Sequence, residues 1–209
     1  MKKAYLCISL VLCGAMPLVG LAQMPSIPGL GSKSSGGPDL MASQISLVTS
    51  YVAASKDVLT SQSKMLQALG LKEQGDKAQA EADSLNAGAT KGNLETAESV
   101  QSASSKALSD ALKAPVPTLD AESKKTYALG LGFLASGLVK YTGMRSGLDG
   151  FKGGMSGASV LQAPKLLSGA YIVKTFPENM LSLTDTMKNA VAFARAHGIE
   201  VPPEATSVI

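Results

Sequence analysis

The chain has no tryptophan, one histidine and nine aromatic residues among 209. Its only cysteines, Cys7 and Cys13, lie within the first 22 residues. Each scarcity excludes something. One histidine without a nearby thiol leaves no ligand set for a structural or catalytic zinc. His197 stands just before Gly198, where an imidazolium suits the negative end of a helix. Few aromatics, and no strand-length run with period-two alternation, argue against a sheet. No carboxylates recur at the spacing of a calcium loop. Asp76, Glu81 and Asp83 lie close together but are balanced by Lys72 and Lys77, as on a solvated face.

The N-terminus has the order of a secretory signal. Lys2 and Lys3 precede an apolar stretch from Ala4 to Met16, broken by Ser9 and Gly14. Pro17 follows, then Gly20-Leu21-Ala22. Cleavage is expected after Ala22, exposing Gln23. The apolar stretch is too short for an anchor, since spanning takes ~20 residues. A lipid-modified Cys13 would have to follow Leu12 rather than a small residue. The expected location is outside the cytoplasm, in the periplasm or secreted beyond it. Removing 22 of 209 residues leaves 187, takes away both cysteines, and lowers the net charge from +3 to +1, with 17 basic against 16 acidic residues. A near-neutral chain has no field to attract nucleic acid.

Residues 23–38 are rich in Pro, Gly and Ser, and read as a flexible leader. Residues 39–200 read as one all-α domain: a bundle of about four to six helices, with long antiparallel members. Residues 201–209 read as a short extended tail. The first helix is expected from Asp39 to Gly70, with Met41, Ile45, Val48, Val52, Leu59, Leu66 and Leu69 in four- and three-residue steps. Ser55 and Gln62 occupy the two remaining places in that register. Lys56, Lys64 and Gln67 mark its opposite, solvated face.

From Lys72 to Lys113 the helical pattern is more polar. A break is expected near Gly88 to Gly92, with Asn93 capping a third helix; the alternative is one long hairpin arm. The third-helix stripe is Leu94, Ala97, Gln101, Ser104, Leu108 and Ala111. After Pro115 and Pro117, Thr118-Leu119-Asp120-Ala121-Glu122 signals a fourth helix. It carries Tyr127, Leu131, Leu134, Leu138, Tyr141, Met144 and Leu148 at core spacing. The glycine-dense stretch from Gly143 to Gly157 is expected to loosen or bend the chain. A fifth helix is expected from Pro164 to Lys174, offering Leu166, Leu167, Tyr171 and Ile172 for burial. A sixth is expected from an N1 proline, Pro177, to His197, with Leu181, Thr184, Met187, Val191 and Ala194 inward.

Three motifs match a chemical pattern but lack its context. Gly130-Leu131-Gly132-Phe133-Leu134-Ala135 fits a dinucleotide fingerprint, yet no strand precedes it; helix packing accounts for it. Ser61-Gln62-Ser63-Lys64 has a serine-nucleophile spacing without its partner motifs, and reads as a solvent-facing turn of helix. Gly154-Met155-Ser156-Gly157-Ala158 lacks the last glycine of a nucleophile elbow. No catalytic group, cofactor or metal site is expected. Between Gly130 and Thr175 five cations (Lys140, Arg145, Lys152, Lys165, Lys174) face one acid, Asp149, a net +4. Small residues recur there at four-residue spacing, the pattern that lets a helix or a lipid chain approach a backbone. Lys140, Tyr141, Gly143, Arg145, Gly147, Phe151, Lys152 and Tyr171 are the candidate interaction or lipid-facing residues. The expected role is non-catalytic, through contact with another envelope protein or with a second copy. The alternative partner is an anionic membrane surface.

Overall fold

The structure, a computed structural model, describes residues 38–115, 118–160 and 163–208. The signal peptide and nearly all of the leader lie outside the described residues. The described chain is all-α, with no strand among the described residues. Its helices are α1 (Pro38–Ala68), α2 (Lys72–Ser84), α3 (Lys91–Lys113), α4 (Ala121–Gly143), α5 (Arg145–Met155), α6 (Leu167–Ala196) and a five-residue α7 (Pro203–Ser207). A short 3₁₀ turn, Ala163–Leu166, precedes α6.

Helix α1 is the central member, packed by α2, α3, α4, α5 and α6. No residue from 51 to 69 is exposed. Two corrections follow. Ser61, Gln62 and Ser63 are fully buried rather than solvent-facing, and Lys56, Lys64 and Gln67 are half-buried. The expected register treats α1 as one partner in a pair, whereas helices on several sides leave it no free face there. Near its N-terminal end the stripe shifts: Leu40, Gln44 and Leu47 are buried and Ile45 is exposed.

The closest packing uses glycine. On α4, a Cβ at Gly130 would fall 3.0 Å from the Ser61 carbonyl and 2.6 Å from Met65 Cγ. One heptad later, a Cβ at Gly137 would fall 2.8 Å from Val58 Cγ2 and 3.3 Å from the Ala54 carbonyl. As α4 advances α1 retreats, so the pair is antiparallel. On α2, Gly75 approaches the Ser63 carbonyl in the same way, where a Cβ would lie at 2.9 Å. Gly132 meets nothing within 4 Å, so of the two glycines in the apparent fingerprint only Gly130 is required by packing.

Several ends fall where the sequence puts them. Gly70 and Gly198 have φ of +82° and +62°. In both, the residue after the glycine donates its N–H back to the third-last helical carbonyl, Leu71 to Leu66 at 2.9 Å and Ile199 to Ala194 at 2.8 Å. This is the Schellman closure that favours glycine. Asp120 caps α4 by accepting from the Ser123 N–H. The break between α2 and α3 is present, but the cap is Thr90, with Asn93 as its reciprocal N3 partner. Five of the six expected stripe residues of α3 are buried, Ala111 being half-exposed. All seven expected core residues from Tyr127 to Leu148 are buried.

Three expectations need correction. The glycine-dense stretch does turn, at Met144, but is otherwise mostly helix: α4 ends at Gly143 and α5 runs from Arg145 to Met155. The expected fifth and sixth helices are one, with Pro177 inside α6. An interior proline costs about 3 kcal/mol. Ile172, Phe176 and Leu183 are buried on both sides of it, each worth about 1.5–3 kcal/mol, so packing wins. The inward stripe of α6 accordingly runs through Asn179, Leu183, Met187 and Ala190, leaving Leu181 and Leu167 exposed. Finally, the tail is not extended throughout. Pro203 starts α7, and Ala205 is fully buried in this segment, which packs on α4.

Two alanine substitutions separate required from unrequired glycine. Gly132→Ala is expected to raise stability by up to about 1 kcal/mol through helix propensity. Gly130→Ala is expected to lower it, because overpacking of about 1–3 kcal/mol exceeds that gain. Urea unfolding of both variants checks the sign, and equal effects would refute the close α1–α4 contact.

Candidate functional site

The glycine-rich region is built around α5. Glycine costs about 1 kcal/mol against alanine at each helix-interior position, and α5 contains Gly147, Gly150, Gly153 and Gly154. For the first three, an added Cβ would meet nothing within 4 Å. The fourth would meet only the flexible end of Leu40. What holds α5 is a short apolar stripe, Met144, Leu148 and Phe151, all buried. The Phe151 ring fills the space where Gly169 of α6 lacks a side chain. Gln44 of α1 fixes that part of α6 from the other side, donating to the Lys165 carbonyl at 2.8 Å and accepting from the Gly169 N–H at 3.2 Å.

An open groove flanks α5 on each side. Towards α1 the space is about 750 Å³, walled by Ser43, Ser46, Ser50, Gly147 and Gly150 over a floor of Leu47, Met144 and Phe151. Towards α6 it is about 540 Å³, lined by Leu148, Phe176, Pro177 and Met180, with Arg145, Lys152 and Asp149 around it.

The structure therefore disperses the eight candidate residues. Gly143 and Gly147 lie open in the α1-side groove, and Arg145 and Lys152 beside the α6-side one. Tyr141 and Phe151 are fully buried, so neither faces lipid or a partner in this conformation. Lys140 is engaged with Asp57 of α1 at 2.6 Å. Tyr171 turns towards α3: its hydroxyl donates to the Glu98 carboxylate and Lys91 lies over its ring. A contiguous stretch of sequence is split because successive helical residues point 100° apart.

Tyr141 belongs to a polar cluster inside the bundle that has little signal in the sequence. Its hydroxyl shares a hydrogen bond with Ser55 Oγ at 2.8 Å. Its ring stands edge-on to Tyr51, 5.4 Å between centroids. Asn179 of α6 donates to the Tyr51 hydroxyl at 2.9 Å. The cluster ties α1, α4 and α6 together. Burial raises the pKa of Tyr51, Tyr127 and Tyr141 above the ordinary value near 10. Desolvation, then the Glu98 carboxylate, raises that of Tyr171.

The outward side of α4 forms a second surface that the sequence reading missed. Leu129, Phe133 and Val139 are exposed, at 52%, 39% and 57%. Leu129 and Phe133 line an open groove of about 750 Å³ with Gly132, Pro202 and Pro203. At one end Asp57, 17% exposed, binds Lys140 and accepts from Ser136 Oγ at 2.5 Å. Ser136 and Lys140, four apart, were visible as one helical face. Asp57, 79 positions earlier than Ser136, was not.

Elsewhere the described residues offer little chemistry. No group of three His, Cys, Asp or Glu among them could hold a metal ion. None of their helices is long and apolar enough to cross a membrane. The Ser61 and Ser63 hydroxyls are buried without a hydrogen-bond partner, so neither is paired with a base. His197 is the C-cap of α6 and stacks on Phe193, 4.1 Å between centroids.

The tyrosines give a pH prediction. A hydroxyl whose pKa rises on folding contributes stability in full below its unfolded value, near 10, and loses it as pH rises from there towards the folded value. The described tyrosines should therefore not ionise near pH 10 in the folded protein, but together with alkaline unfolding. Ultraviolet titration of the chain starting at Gln23, which lacks Tyr5, beside circular dichroism checks this; one of the four tyrosines ionising near pH 10 in folded protein would contradict it. Comparison with protein-family models, with curated proteins and with solved structures finds no match.

Proposed function

We propose that this chain is an exported, non-catalytic helical protein that works through contact with another envelope protein. The observation that carries the reading is the outward face of α4, where Leu129 and Phe133, one helical turn apart, are exposed along one groove. Grouped apolar exposure, with a charged pair at its rim, is the anatomy of a contact surface. The signal-like N-terminus supports export. The dispersal of serines, tyrosines and carboxylates supports the non-catalytic part, because nucleophilic catalysis needs a base within hydrogen-bond reach of the nucleophile. Ser136 and Tyr171 do each touch a carboxylate, but Lys140 shares the Asp57 oxygen that Ser136 meets, and burial and Glu98 hold the Tyr171 hydroxyl protonated.

A second reading, contact with an anionic membrane surface, is favoured by Arg145 and Lys152 beside the apolar α6-side groove.

Photo-crosslinking in cells that export the chain tests the first reading. A photoreactive residue at Phe133 should give a discrete product that Leu129→Asp removes, and one at Lys106 on α3 should not. No product, or the same products from both positions, would refute the α4 surface. Flotation tests the second. Binding to phosphatidylglycerol vesicles at low salt should weaken as salt rises and fall at least tenfold in Arg145→Glu/Lys152→Glu. Absence of binding at low salt would end that reading.

A further inference from the structure

We propose that α5 is a lid that opens by unwinding locally from Met144 onward, which joins its two flanking grooves into one apolar cleft for a single-chain anionic amphiphile such as a fatty carboxylate. The choice of ligand rests on the lipid reading above; the lid rests on packing alone.

Two kinds of helical glycine stand apart among the described residues. At Gly75, Gly130, Gly137 and Gly169 an added Cβ would meet a neighbouring helix at under 3.0 Å, so close packing requires glycine. At Gly147, Gly150 and Gly153 nothing lies within 4 Å. These three weaken α5 as a helix without letting anything come closer. The fold does little to offset that. Helix α5 has no side-chain cap. Among the described residues, no α5 side chain makes a hydrogen bond or an ion pair. Its hold on the bundle is the Met144, Leu148 and Phe151 stripe, with half-buried Met155 against the core at its end.

Both ends suit local unwinding. At Met144 the ladder of α4 tightens to a three-residue bond, N–H to the Tyr141 carbonyl at 3.1 Å, before α5 restarts. At the far end, Ser156, Gly157 and Ala158 leave through successive three-residue turns. Segments with few contacts and weak local propensity are those that open below the global unfolding free energy.

Opening would remove the wall between the grooves. Leu40 and Leu47 of α1 and Gly169, Phe176 and Met180 of α6 would then line one apolar cleft. Arg145 and Lys152 ride on the lid, against Asp149 alone. Two cations over an apolar floor complement a carboxylate or sulfonate on an alkyl chain.

Hydrogen exchange of the whole protein tests the lid. Amides of residues 147–155 should exchange well before those of α4 and of residues 169–176, with little denaturant dependence. Gly147→Ala/Gly150→Ala/Gly153→Ala should slow them on the order of a hundredfold, about fivefold per alanine. A dansyl-labelled fatty acid tests the cleft. It should bind saturably, and its apparent affinity should fall in the triple variant by the factor measured for opening. Exchange of α5 only with global unfolding, or α5 protection unchanged by the alanines, would overturn the lid. Absent probe binding, or equal binding to both proteins, would overturn the gated cleft. Vesicle flotation is scored separately, so a membrane surface without a cleft, or a cleft without membrane binding, is distinguishable.

Discussion

The approach of α4 to the backbone of α1 at Gly130 and Gly137 sets the positions of much else. Those glycines face Ser61 and Ala54, seven residues apart on each helix. The same antiparallel register brings Lys140 to Asp57 and Tyr141 to Ser55. It also brings Met144 to the height of Leu47, where both enter the floor of one groove. Close contact ends there because the chain turns at Met144. Small residues continue on both sides, serine on α1 and glycine on α5, but they face each other across open space.

Much of this was legible because it depends on short-range rules. Gly70 and Gly198 end helices by a backbone geometry that other residues resist, and Asp120 begins one by capping. The seven residues from Tyr127 to Leu148 keep core spacing through the turn at Met144. Ser55 and Gln62, polar residues in an apolar register, hold their places through hydrogen bonds to Tyr141 and to the Gln101 carbonyl and Ser105. What was not legible depends on distant partners. Pro177 carries the local mark of a helix start, and only burial of residues around it shows otherwise. The face of α1 covered by α2 has no counterpart in its own periodicity, since serines at positions 61 and 63 look polar until Gly130 and Gly75 close on the adjacent backbone.

The candidate region shows the limit of reading charge along a sequence. Eight residues within a 32-residue span divide into core, ion pair, groove wall and rim once a helix axis is imposed. Net positive charge survives as a local property of Arg145 and Lys152, while Lys140 is matched by an acid contributed from far away in the chain. The opposite happens on α4, where Leu129 and Phe133 look like ordinary members of an apolar helix. Their exposure emerges only because Gly130 and Gly137 decide which side meets α1.

A helix with no exposed position from residue 51 to 69 has a bearing on how this sequence can vary. In that stretch every substitution meets a neighbour, and the neighbours belong to several different helices. Single changes there would need simultaneous accommodation on two or more sides, so drift should be slow and correlated. Helix α5, whose glycines touch almost nothing, is under no such restraint from packing. Were its glycines nonetheless retained among descendants of this chain, the reason would have to be motion rather than fit.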